Sequence, residues 1–234
     1  HPEIKLLVTG SSALDLATRV KESLTGRKFT YHLYPLSFGE LRSLHNRFEL
    51  DQQIESAMIY GLYPDVFFAS GIQKQTLLTE LTSSYLYKDI LEFEALKYPR
   101  KIRDLLKLLA FQIGQEVSLN ELANSLDMSI NTVIHYIDLL ERSFIIFRLS
   151  GLSRNLRKEV SKKDKIYFYD LGVRNALIGN FNDTSSRNDI GQLWENFCIV
   201  ERLKKTEYSR DYMNRYFWRV HTGSEIDYIE EKDG

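Results

Sequence analysis

Cysteine is nearly absent from these 234 residues, with Cys198 standing alone. No internal disulfide and no multi-cysteine metal site can form, and a reducing, cytoplasmic setting is the expected one. Four prolines and twelve glycines exclude a collagenous or linker-dominated chain. No run approaches the roughly 20 apolar residues that cross a bilayer, so no membrane partner is expected. The opening His1-Pro2-Glu3-Ile4-Lys5 is neither a signal peptide nor an initiating methionine. The ending Glu230-Glu231-Lys232-Asp233-Gly234 reads as a turn awaiting a next strand, so both ends read as cut. Charge of one sign is missing too. With 31 basic residues against 32 acidic ones and a net charge of −1, the chain lacks the overall basic character of a dedicated nucleic-acid binder, and only a local basic patch could serve that purpose.

The chain is 43% hydrophobic and 27% charged, an ordinary globular composition, and its length suits one or two domains at roughly 150 residues each. The run Ile4-Lys5-Leu6-Leu7-Val8-Thr9, closed by Gly10-Ser11-Ser12, suits a buried strand. A helix follows over Ala13 to Leu24, and the aromatic, β-rich stretch Phe29 to Leu36 completes a βαβ order. From Phe38 to about Lys97 apolar residues recur at helical spacing, interrupted by Gly61-Leu62-Tyr63-Pro64-Asp65, and Pro99 opens another helix that Gly114 stops. Ser118 and Ser129 are placed to cap two short helices, the second running to Arg142 with Ile130, Val133, Ile134, Ile137 and Leu140 on one face. A strand over Phe144 to Leu149 and a return strand Ile166-Tyr167-Phe168-Tyr169 then make a winged helix-turn-helix. Its wing, Ser153 to Lys165, holds Arg154, Arg157, Lys158, Lys162, Lys163 and Lys165 against Glu159 and Asp164. A helix from about Ile190 to Lys205, striped by Leu193, Trp194, Phe197, Val200 and Leu203, leads to strands Tyr216 to Val220 and Glu225 to Ile229.

Three constellations carry chemistry. In the first, Leu7-Val8-Thr9-Gly10-Ser11-Ser12-Ala13-Leu14 is followed by Ser23-Leu24-Thr25-Gly26-Arg27 and Tyr34-Pro35-Leu36-Ser37-Phe38-Gly39-Glu40-Leu41. This order and spacing resemble the C-terminal half of a AAA+-type P-loop ATPase core, in the bacterial and archaeal family whose members carry a winged helix and a nuclease-like domain behind the ATPase. The resemblance implies that Ser11 or Ser12 corresponds to the sensor-1 residue that positions the attacking water. It likewise implies that Arg27 lies where such ATPases place an arginine finger, a cation that neutralises charge developing in phosphoryl transfer. From the residues alone, Ser11 is a helix cap and Arg27 a surface cation. The phosphate-cradling G-x-x-x-x-G-K-[ST] is absent, and Gly-Lys does not occur as a dipeptide. ATP and Mg²⁺ are therefore expected of a full-length protein by resemblance, and neither is expected of this chain alone. Tyr167-Phe168-Tyr169-Asp170 has the outline of an apolar strand ending in a metal-binding aspartate, but its place after the helix pair assigns it to the wing's return strand.

The second constellation is the winged helix. Its second helix presents Asn131, Thr132, His135, Tyr136 and Asp138 away from the apolar face, with no arginine or lysine before Arg142. Asn131, Thr132 and His135 can hydrogen-bond bases, whereas phosphate contact falls to the basic wing. The same charges also suit a solvated hairpin, and the helix pair a packing module. The third is Gly191-Gln192-Leu193-Trp194-Glu195-Asn196-Phe197, then Tyr216-Phe217-Trp218-Arg219 and Ser224-Glu225-Ile226-Asp227-Tyr228. It resembles the start of the family's C-terminal domain, a PD-(D/E)xK nuclease-like fold in which carboxylates and a lysine gather around Mg²⁺. Glu195 and Asp227 match its first two positions, but no E-x-K follows on a next strand, since Glu230-Glu231-Lys232 continues the same run as Asp227. The alternative makes both of them solvated or capping carboxylates.

The chain is thus expected to be mixed α/β, mainly α, with a AAA+ core remnant over 1–36 and a helical lid and connector over 37–98. A winged helix-turn-helix over 99–175 and the start of a restriction-nuclease-like α/β domain over 176–234 follow. The function implied is coupling of nucleotide state to the winged-helix and nuclease-like parts, with DNA as the partner of the winged helix and a homo-oligomer if Arg27 acts in trans. A DNA- or protein-binding regulator is the alternative, and a metal-dependent nuclease would need an E-x-K beyond Gly234.

Overall fold

The computed structural model describes residues 7–8, 29–85, 99–152, 163–220 and 223–232. The strand expected at 4–9, the helix at 13–24 and most of the basic wing lie largely or wholly outside them. The described chain is mixed α/β and mainly α, as its periodicities imply. It runs α1 (Phe38–Leu41), α2 (Arg47–Tyr60), α3 (Pro64–Phe68), α4 (Ile72–Glu80), a π-helical turn (Leu81–Tyr85), α5 (Pro99–Phe111), α6 (Leu119–Ser125) and α7 (Ile130–Arg142). Then come β1 (Ile146–Gly151), β2 (Lys165–Phe168), α8 (Leu171–Ile178), a 3-10 turn (Thr184–Ser186), α9 (Ile190–Tyr208), β3 (Asn214–Arg219) and β4 (Glu225–Glu231). Residues 29–36 pair with no described strand, and their one ladder-like contact is Leu36 N–H donating to the Leu62 carbonyl at 2.9 Å.

Local chemistry sets the boundaries. Ser37 and Asn46 each form a reciprocal capping box, with Glu40 and Glu49, and Ser118 and Ser129 accept from the amides of Glu121 and Thr132 as expected. Helix α2 stops at Gly61, whose φ of +72° suits glycine, and Pro64 opens α3. Two close approaches lock this corner. A Cβ on Gly61 would stand 2.0 Å from Asp170 Oδ1, and one on Gly172 would stand 2.1 Å from the Tyr60 carbonyl oxygen. Asp170 is the buried N-cap of α8, accepting from the amides of Val173 at 3.0 Å and Leu62 at 2.7 Å. Burial pushes its carboxyl above the usual range despite these bonds.

The four strands form one sheet in the order β2-β1-β3-β4. Strands β1 and β2 are antiparallel, with Ile146 opposite Phe168 and Leu149 opposite Lys165. Strands β3 and β4 are antiparallel as well, and a short parallel pairing, Ser150 to Tyr216 and Gly151 to Phe217, joins the two hairpins. Strands from both sides of 175/176 thus share one sheet, and 175/176 itself lies within α8. Alternation along β1 and β2 sends Ile146, Ile166 and Phe168 into a core shared with α5, α6, α7 and α8. The residues between them, Phe147, Leu149 and Tyr167, enter a second core with Ile199, Val200 and Leu203 of α9 and Phe217 of β3. Both faces of this hairpin are covered. The stripe expected on α9 holds at Leu193, Val200 and Leu203, but Trp194 is 48% exposed and stacks on Phe197.

A buried polar network ties four helices together. Asp189, just before α9, accepts from Arg174 Nη1 at 2.6 Å and from Arg187 Nε and Nη2 at 2.8 and 2.9 Å. Arg174 also donates to the Ala110 carbonyl, and Asn175 donates to the carbonyls of Met58 and Ile59. These bonds close the ends of α2 and α5 against α8, where an unpaired carbonyl would be costly.

Candidate functional site

Strand β2 begins with Lys165, whose side chain is 2% exposed. That removes it from the basic wing, because an ammonium sealed under a sheet cannot reach a phosphate on DNA. Lys163, two residues earlier, is exposed, while Arg154, Arg157, Lys158 and Lys162 lie outside the described residues. The Lys165 ammonium meets carboxylates from two other elements. Glu195 Oε1 of α9 is 3.2 Å away, Asp227 Oδ1 of β4 is 3.3 Å away, and Glu225 of β4 is in direct contact. Three N–H donors thus face three carboxylates. Tyr167, on the same face of β2, donates its hydroxyl to Glu195 Oε1 at 2.5 Å, and the ammonium lies 5.3 Å from the centre of the Phe217 ring.

The electrostatics follow from this enclosure. Burial pulls the Lys165 ammonium down, but the hydrogen bond to Glu225 and the charges of Glu195 and Glu225 outweigh it and leave the group raised. Burial raises the Glu195 carboxyl, and the repulsion of Asp227 adds to it, against the lowering by Tyr167 and Lys165. The Tyr167 phenol is pushed far above its ordinary range, first by burial and then by its bond to Glu195, so it remains a donor. Arg219 stands at the rim, 3.8 Å from both Glu116 and Glu225.

Two of the expected nuclease-like residues, Glu195 and Asp227, are therefore brought together, while Lys165, Tyr167 and Glu225 were not anticipated in this role. Period-two alternation does carry a signal: Lys165 and Tyr167 share one face of β2, and Glu225 and Asp227 share one face of β4. Asn196 was also missed as a functional part. Its amide accepts from Phe168 N–H at 2.8 Å and donates to the Phe168 carbonyl at 2.9 Å, holding the end of β2 against α9 on the side away from β1.

The Mg²⁺ implied by the nuclease resemblance does not fit these residues. The space between the carboxylates is filled by the Lys165 ammonium, which contacts all three of them and puts a fixed positive charge where the cation would sit. Among the described residues no group of three or more His, Cys, Asp or Glu is arranged to hold a metal ion.

On helix α7, Asn131 and His135 are exposed, whereas the Thr132 hydroxyl is engaged with Ser129 Oγ at 2.7 Å. Tyr136 does not face outward as expected. It is 2% exposed and belongs to the core, because the apolar face of α7 is wide enough to include it. Asp138 is not free for a base either, being paired with Arg148 of β1 at 2.7 Å. Ser11, Ser12 and Arg27, the residues expected to meet ATP, lie outside the described residues.

Residues 51–184, more than half of the chain, match the model of a family described as Domain of unknown function (DUF8612). The chain belongs to that family. Residues 1–42 match an AAA domain, and residues 190–234 match Domain of unknown function (DUF4143), which together point to an ATPase-like family. Similar proteins include an uncharacterized protein of Haemophilus influenzae, 27% identical over 86% of this chain and 51% of its own length. An uncharacterized protein of Mycobacterium tuberculosis is 26% identical over 98% of this chain and 50% of its own, and one of Methanocaldococcus jannaschii is 23% identical over 86% and 47%. The chain spans about half the length of the curated relatives it matches. No solved structure matches it significantly. Lys165 and Tyr167 fall within the DUF8612 match, and Glu195, Glu225 and Asp227 within the DUF4143 match, so the ion cluster bridges the two. Among the described residues no helix is long and apolar enough to cross a membrane.

Proposed function

We propose that this chain is the C-terminal portion of a AAA+-type ATP-binding protein, and that it couples the nucleotide state of that protein to a winged-helix and nuclease-like region. The observation that carries the reading is the AAA-domain match over 1–42, which passes within ten residues into the DUF8612 match. Helices α6 and α7 with the β1-β2 hairpin supply the winged helix-turn-helix, and DNA is its partner, met by Asn131, His135 and Lys163, while the Thr132 hydroxyl stays with Ser129. Without a G-x-x-x-x-G-K-[ST] the chain lacks the loop that cradles a nucleotide's phosphates. The unbroken sheet across both hairpins supports the coupling, because a displacement of β2 is passed to β3 and β4 through main-chain hydrogen bonds.

The test is a titration of a fluorescent ATP analogue, with Mg²⁺, into this chain and into the longer protein that its gene encodes. Binding by the longer protein alone is expected. Micromolar binding by this chain, or none by the longer protein, would overturn the reading.

A further inference from the structure

The Lys165 cluster holds more negative than positive charge. Lys165 and Arg219 face Glu116, Glu195, Glu225 and Asp227. Three carboxylates converging on one buried ammonium repel one another. They remain together in the structure because the Lys165 ammonium sits at the centre, with Phe217 closing its apolar side. Asp227 opens widely to water, at 56% exposure, and Glu225 lies on the exposed start of β4.

We propose that Lys165 is a resident cation that performs the organising work of a metal ion in this nuclease-like site, so the site is assembled without a divalent cation. The three carboxylates converge only because a fixed positive charge from β2 lies between them. The consequence is structural: the Lys165 charge fastens β4 to β2 and adds to the Asn196 and Tyr167 bonds that hold α9 there. A residue of the DUF8612 region thereby completes a site whose acidic groups belong to the DUF4143 region. This inference stands independently of the ATPase reading, since it concerns groups that are all present in this chain.

The experiment uses the full chain in two arms. In the first, Mn²⁺ binding is followed by electron paramagnetic resonance, and thermal unfolding is followed with Mn²⁺ or EDTA, for the native chain and Asp227→Asn. No Mn²⁺ binding that Asp227→Asn abolishes is expected, and neither additive moves the native Tm. In the second arm the native chain, Lys165→Met and the double variant Lys165→Met/Glu225→Gln are compared. Loss of the central cation leaves carboxylates unpaired, and Lys165→Met should lower Tm by roughly 6 °C or more. Removing one carboxylate charge in the double variant should restore at least half of that loss, which a lost packing contact would not do. Mn²⁺ bound by the native chain and released by Asp227→Asn would overturn the proposal. So would a double variant no more stable than the single one, including the case in which neither folds.

Discussion

Replacing Asp189 with alanine removes the one carboxylate shared by two enclosed guanidiniums, those of Arg174 and Arg187, whose side chains are 2% and 0% exposed. Three charge-assisted hydrogen bonds of 2.6–2.9 Å are lost at once. Breaking a buried ion pair from one side costs about 3–5 kcal/mol, because the partner charge stays buried without compensation. The lower end applies here. Asp189 keeps some contact with water, and both arginines retain Asn175 Oδ1 and a carbonyl, of Ala110 for Arg174 and of Asn180 for Arg187. A loss of about 3 kcal/mol corresponds to a Tm lowered by roughly 6–12 °C for a chain of this size. Thermal and urea unfolding followed by circular dichroism read it directly, with exposed Asp183→Ala as a control expected to stay within about 0.5 kcal/mol of the native chain. The pH dependence gives a second reading. Burial raises the Asp189 carboxyl, but the hydrogen bonds and charges of Arg187 and Arg174 outweigh it and hold the group below its ordinary value. Its stabilisation is therefore complete above the unfolded pKa and is lost as pH falls through the lowered folded value. Asp189→Asn should flatten that acid limb. A variant within about 1 kcal/mol of native stability, or an unchanged acid limb, would refute the account of a shared buried anion.

Two further outcomes follow from the corner between α2 and α8. Gly172→Ala adds a methyl group 2.1 Å from the Tyr60 carbonyl oxygen. Despite alanine's better helix propensity, the variant should be destabilised by about 1–3 kcal/mol in urea unfolding, and a neutral or stabilising result would show that the helices slide apart freely. Asp170 behaves oppositely to Asp189. Its folded pKa is raised by burial, so its contribution is complete below the unfolded value and declines as pH rises through the folded one. Asp170→Asn should therefore destabilise less at pH 7 than at pH 4, and the reverse order in paired denaturant melts would contradict it.

The sequence by itself determined the helices, their caps and their breaks. Ser118, Ser129, Gly61, Pro64 and Pro99 act on neighbours a few residues away, and short-range chemistry is readable in one dimension. It also placed Glu195 and Asp227 in one constellation through family resemblance. The tertiary structure decided the partners. Nothing local distinguishes Lys165 from Lys163 in a basic stretch, yet the pairing of Leu149 with Lys165 turns one ammonium under the sheet and leaves the other outside. Tyr136 lies off the stripe Ile130, Val133, Ile134, Ile137 and Leu140, whereas the width of the apolar contact around α7 draws the ring inward. The parallel seam between β1 and β3, which makes two hairpins into one sheet, joins residues more than sixty positions apart. Charges gather around Lys165 for the same reason: burial makes each of them depend on the others, and only the folded chain brings them within reach.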